Sequence, residues 1–222
     1  MDSHGRERRA GATDFGLQWL LVGVICLCMA GRSHAESLSG APLLNALRHG
    51  GYVLVMRHSN SPFAPPEKAA ANPDNPTLER QLDETGRSTA RAMGEAIKTL
   101  RIPVGELLSS PTYRALETLR LAALGTPKMF AELDEGAQRM QDNADSARSA
   151  WLRAKAAELP LTATNTLIVT HTPNLMGAFG QNIGSVVAGE ALVFHPDGKG
   201  GSQLVARIKI EEWPQLASLP SR

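Results

Sequence analysis

Apolar residues in this chain gather in short blocks separated by polar stretches of a different period. Gly51 to Met56 (GYVLVM) and Thr166 to Thr170 (TLIVT) have strand length, with the apolar content expected of strands buried on both faces. Val104 to Ser109 reads as a further strand. Between them, Asp83 is placed to cap a helix running to about Leu100, whose Ala90, Met93, Ile97 and Leu100 recur at three and four residues. Pro111 breaks the second strand, a helix follows from about Thr112 to Leu124, and Gly125 ends it. Met129 to Leu133 predicts a short strand, and Ala144 to Leu159 a helix stopped by Pro160. Thr172 and Pro173 suit the N-cap and N1 positions of another helix, while Ala191–Phe194 and Gln203–Ile210 predict two closing strands. Strands alternating with helices predict an α/β fold, a three-layer α/β/α sandwich with a mostly parallel central sheet. Ligands of such sheets sit at the carboxyl ends of the strands.

The first 35 residues have another pattern. Arg6, Arg8 and Arg9 precede an apolar run from Leu17 to Ala30, and Ser33-His34-Ala35 offers small residues at the −3 and −1 positions of a cleavage site. This is the layout of a secretory signal peptide, with an uncleaved N-terminal anchor as the other reading. The expected organisation is residues 1–35 as signal and 36–222 as one catalytic domain, periplasmic or secreted. Cys26 and Cys28 both fall in the signal, so the domain has no thiol for a disulfide, a nucleophile or a metal. The whole chain carries a formal charge of +1. Beyond Ala35 the basic and acidic residues balance, which suggests neither nucleic acid nor, after cleavage, an anionic membrane as partner.

Reactive side chains fall where the strands end. Arg57-His58 follows the first strand, Ser109-Ser110-Pro111 with Arg114 follows the second, and His171 follows TLIVT. Two arginines and two histidines at one sheet edge suit phosphoryl transfer. Arginine grips phosphate oxygens and keeps its charge. A neutral imidazole attacks phosphorus, and flanking positive charge keeps it neutral. A second imidazole can donate to the equatorial oxygens. Taken singly, each has a plainer explanation, a surface ion pair for an arginine or a core hydrogen bond for His171. Their order and shared placement favour the functional one.

The pieces VLVMRH (53–58), QLDETGRSTARAMGEAI (81–97), SSPTYRALET (109–118) and VTHTPNL (169–175) together resemble the histidine phosphatase superfamily, the phosphoglycerate-mutase-like enzymes, in its small branch. The resemblance implies that His58 takes the phosphoryl group, that Arg57, Arg114 and His171 form the phosphate pocket, and that no metal or other cofactor is needed. It departs from the family in three places. Ser59 stands where glycine usually follows the first histidine. The mutases' Trp-Glu-Gly segment is absent. Thr172 stands where the phytase-like branch has aspartate.

The expected activity is that of a phosphomonoester hydrolase of the histidine acid phosphatase type, acting on a phosphorylated small molecule or a phosphoprotein. A phosphotransferase or mutase, or a non-catalytic phospho-ligand-binding module, is the alternative. By the same resemblance the general acid comes from Leu133-Asp134-Glu135, with Glu135 favoured, Glu132 and Asp134 as neighbours, and Glu190 as competitor. Ser59, Asn60, Glu190 and the proline-rich loop 59–80, with Pro62, Pro65, Pro66, Pro73 and Pro76, are expected to contact the rest of the substrate. Arg48-His49-Gly50 spells the family's Arg-His-Gly more literally, but it precedes the strand. It predicts the end of a short helix (Pro42 to Arg48) with Gly50 as terminator. Arg80 and His195 read as a loop arginine and a residue past a strand end.

Overall fold

The computed structural model describes residues 37–62, 76–134 and 146–218. The elements are α1 (Gly40–His49), β1 (Val53–Arg57), α2 (Glu84–Thr99), β2 (Val104–Ser109), α3 (Tyr113–Ala122), β3 (Lys128–Met129), α4 (Ala147–Ala156), β4 (Asn165–Thr170), α5 (Thr172–Phe179), β5 (Ala191–Pro196), β6 (Ser202–Ile208) and α6 (Glu212–Ala217). The strands form one sheet in the order β3-β2-β4-β1-β5-β6. The first four run parallel, and β5 and β6 close the sheet antiparallel.

Period-two alternation divides each central strand between two cores. Leu54 and Met56 of β1, with Leu167 and Val169 of β4, pack against α1, α2, α3 and α6. Val53 and Val55, with Ile168, pack against α4 and α5. The sheet is thus covered on both faces, the expected three-layer sandwich. Each buried Leu, Ile or Val contributes about 1.5–3 kcal/mol.

Local chemistry sets the element ends. The Asp83 carboxylate accepts from Gly86 N at 2.7 Å and caps α2 as expected. Gly50 closes α1 at φ 79°, in the positive-φ range open to glycine, and a side chain there would meet Thr164 N at 2.5 Å.

Several expectations shift. Helix α3 ends before Gly125, because Ala123 takes the left-handed conformation (φ 50°) and its N–H closes on Leu119 and Arg120 carbonyls. Only Lys128 and Met129 pair with β2. The predicted strand 129–133 instead turns into a 3₁₀ segment at Ala131–Leu133, which drops Leu133 wholly into the core. His171, not Thr172, is the N-cap of α5, so Thr172 and Pro173 are already helical. Helix α4 starts at Ala147 with the Ser146 hydroxyl accepting from Ser149 N. It stops at Ala156, short of Leu159. Helix α6 has no counterpart in the sequence pattern. The expected signal (1–35), Glu135 and the loop residues 63–75 lie outside the described residues. Among the described residues, no helix is long and apolar enough to cross a membrane.

Candidate active site

The carboxyl ends of β1, β2 and β4 are neighbours in the sheet, so the residues after each strand meet. His58 follows β1 and is 3% exposed; His171 follows β4 and is wholly buried. Their rings meet edge-on, with centroids 5.2 Å apart. Arg114, in the first turn of α3, is wholly buried beside them. Its Nη2 lies 3.2 Å from His171 Nδ1.

The hydrogen bonds assign both tautomers. His58 Nδ1 lies 2.8 Å from the carbonyl oxygen of Ser59, so Nδ1 carries the proton and Nε2 keeps its lone pair. A guanidinium only donates, so His171 Nδ1 accepts from Arg114, and the ring proton sits on Nε2. That proton faces Ser110 Oγ at 2.9 Å and Thr112 Oγ1 at 3.2 Å.

Both imidazoles are held neutral. Burial is the largest cause at His58, followed by the positive charge of Arg114, and its pKa falls to about 3. Burial and then Arg114 hold His171 well below the ordinary histidine range as well. Flanking charge, the cause expected from sequence, acts but ranks second.

The supporting shell is built largely from motif residues. Ser59 N donates to Thr118 Oγ1 at 3.1 Å, and that hydroxyl donates to the Arg114 carbonyl at 2.7 Å, so one threonine joins the loop after His58 to α3. The Ser59 hydroxyl donates to the Gly86 carbonyl at 2.8 Å and meets Thr89, tying the same loop to α2. It is buried in that contact. Asn60 donates to the Asp83 carboxylate at 2.6 Å. Arg57 Nη1 donates to the Val186 carbonyl at 3.0 Å, and Arg57 N to the Glu190 carbonyl.

The remaining expected residues are more dispersed. Glu190 is buried, with one carboxylate oxygen accepting from Arg207 Nε at 2.7 Å and the other from Val187 N at 2.9 Å. Asp134 offers its carbonyl to Arg148 and Asn174. His49 is exposed at the end of α1 and bonds only locally, to the Asn45 carbonyl. His195, expected just past a strand end, lies inside β5; it is exposed, and its ring is tilted against Tyr52 with centroids 5.1 Å apart.

Sequence reasoning placed Ser110 at the strand end but missed Thr112 and Thr118 as supports. Both lie inside SSPTYRALET, and Thr118 is four residues after Arg114 on the same helix face. It also missed the long-range contacts of Glu79 and Arg80, the first accepting from Tyr113 N at the start of α3 and the second donating to the Ser61 carbonyl. Among the described residues no group of three His, Cys, Asp or Glu could hold a metal ion.

The sequence model of the Histidine phosphatase superfamily (branch 1) matches residues 53–165, half of the chain. The chain belongs to that superfamily. The match carries Arg57, His58, Arg80 and Arg114, and His171 lies just beyond its end. Comparison with curated protein sequences found no match. Among solved structures, the chain is similar to the protein histidine phosphatase SixA complexed with tungstate (TM-score 0.50, 16% identity, covering 72% of this chain and 98% of that one). It is also similar to the Rv3214 product of Mycobacterium tuberculosis (TM-score 0.50, 17% identity, 69% of this chain and 95% of that one). At these identities the likeness is one of fold.

Proposed function

We propose that the chain is a phosphomonoester hydrolase acting through a phosphohistidine on His58, with a phosphorylated small molecule or a phosphoprotein as substrate. One observation carries this reading. The Ser59 carbonyl holds the His58 Nδ1 proton while burial and Arg114 hold the ring neutral, so Nε2 is a nucleophilic nitrogen at physiological pH.

In the first step the Nε2 lone pair bonds to phosphorus and the phosphorus–oxygen bond to the leaving group breaks. A carboxylic acid, with Glu135 the favoured donor, gives its proton to the departing oxygen. Water then gives a proton to that carboxylate as its oxygen bonds to phosphorus, the nitrogen–phosphorus bond breaks with its electron pair returning to Nε2, and inorganic phosphate leaves. Arg57 and Arg114 balance the charge of the transferring group, and His171 orients Arg114 through its Nδ1.

Turnover of an aryl phosphate, inhibited by vanadate, tests the activity. Trapping of an acid-labile, base-stable phosphoryl group on His58 tests the intermediate. A protein that binds phosphate but neither turns over an aryl phosphate nor becomes labelled would be a binding module instead.

The basic, apolar, Ser-His-Ala order of the first 35 residues supports export to the periplasm or beyond, with Glu36 as the mature N-terminus. N-terminal sequencing of the exported protein tests this. Met1 retained on a cytoplasmic form would overturn it.

A further inference from the structure

The loop between α5 and β5 meets the end of β1, where Arg57 and His58 stand. Gly189 N donates to the His58 carbonyl at 2.9 Å and Arg57 N to the Glu190 carbonyl at 3.0 Å, so the loop grips the backbone of both residues. It also holds the head of the arginine, because Arg57 Nη1 donates to the Val186 carbonyl at 3.0 Å. The direction of the Val186 carbonyl therefore helps to set the direction of the rigid Arg57 fork.

Two side chains hold the loop on either side of Val186. Glu190 is 4% exposed and folds back on its own turn, its Oε2 accepting from Val187 N at 2.9 Å. Arg207 reaches in from β6, with β5 between it and β1 in the sheet. Its Nε donates to Glu190 Oε1 at 2.7 Å, its Nη2 to the Ser185 carbonyl at 2.6 Å, and its Nη1 to the Ile183 carbonyl. All three guanidinium nitrogens thus bind one loop, at residues 183, 185 and 190. A planar fork fixes the spacing of its acceptors, whereas a lysine ammonium on a flexible stem does not. Burying the Glu190 carboxylate is costly, and the ion pair that offsets the cost shapes the segment that orients Arg57.

We infer that Arg207, with Glu190, is a positioning residue for phosphate binding: it shapes the 183–190 loop so that the Val186 carbonyl holds the Arg57 guanidinium in its gripping orientation. Arg207 acts through Arg57 and touches no substrate. The inference rests on the phosphatase reading, in which Arg57 grips the phosphoryl group.

A double-mutant cycle on the full chain tests it. Binding of inorganic phosphate is followed by phosphorus NMR in the wild type, Arg207→Lys, Arg207→Gln, Arg57→Gln and the Arg57→Gln/Arg207→Lys double variant. Thermal unfolding of each fixes a temperature at which it is folded. Arg207→Lys keeps a positive charge opposite Glu190, so it carries the test should Arg207→Gln not fold. Arg57→Gln is expected to weaken phosphate by about tenfold or more, the scale of a lost charged hydrogen bond. Folded Arg207→Lys is expected to weaken it by about threefold to tenfold, and to add almost nothing once Arg57 is gone. Wild-type affinity in folded Arg207→Lys would overturn the inference. So would additive losses in the double variant, which would make Arg207 a support of the fold that does not act through Arg57. If the wild type neither binds phosphate nor turns over an aryl phosphate, the phosphatase reading itself fails, and the inference with it.

Discussion

Nη2 of Arg114 lies 3.2 Å from Nδ1 of His171, and the imidazole, not the guanidinium, is the acceptor. A permanent cation thus rests against a histidine that must remain uncharged, with the neutral His58 ring alongside. Protonating either ring would add charge to a buried cluster that already holds Arg114 and feels Arg57 and Arg80.

Stability should therefore depend on pH. In the unfolded chain each histidine takes up a proton near pH 6.5, whereas folded His58 resists until about pH 3 and folded His171 until well below its ordinary value. The unfolded state binds more protons in that window, so stability is full above about pH 6.5 and is lost as pH falls. The expected loss is about 2 kcal/mol per histidine by pH 5. Urea unfolding between pH 8 and pH 5 measures it, and His58→Asn should remove about half of the dependence. A flat profile down to pH 5 would show that the two rings are not buried neutral.

His58→Ala is expected to lower turnover by about 10³-fold or more, and His49→Ala to leave it nearly intact. Of these two histidines, His58 is buried at a strand end beside Arg114, whereas His49 is exposed on α1. Equal losses in two folded variants, checked by circular dichroism, would exchange the Arg-His pairs.

Two glycines of α2 separate packing from chemistry. A Cβ on Gly94 would stand 1.9 Å from the Ala122 carbonyl oxygen, and one on Gly86 would stand 2.1 Å from that of Asn60. Both neighbours are backbone and cannot step aside. Gly94→Ala should destabilise by about 2 kcal/mol or more while sparing the activity of molecules that fold. Gly86→Ala should lower activity as well, because Asn60 lies two residues after His58. Chemical denaturation with specific activity per folded molecule checks the pair, and an active Gly86→Ala would show that the loop tolerates displacement.

Glu135→Gln is expected to slow hydrolysis of alkyl phosphates by about 10²–10⁴-fold and of aryl phosphates only mildly, because a good leaving group needs little proton assistance. Glu190→Gln should not show that dependence. Its carboxylate is tied to Arg207 and to Val187 N, so its replacement should instead lower the melting temperature. If leaving-group dependence follows Glu190 and not Glu135, the roles are reversed.

The sequence by itself determined the strand blocks, the Asp83 cap and the placement of Arg57, His58, Arg114 and His171, because these depend on local period and on what directly follows a strand. Even there, element ends slid where a tertiary contact outweighed propensity. Burial of Leu133 turned a predicted strand into a 3₁₀ segment, and Ala123 ended α3 before Gly125. Only the tertiary structure decided the rest of the site. Glu79 meets Tyr113 across 34 residues, Ser59 meets Thr118 across 59, and Arg114 meets His171 across 57. No local pattern encodes such pairs. The strand order β2-β4-β1 makes them, by setting three strand ends side by side that are far apart in the chain. The same holds for the charge state of His58. Burial is its largest cause, and burial is a property of the closed fold and not of any neighbour in sequence.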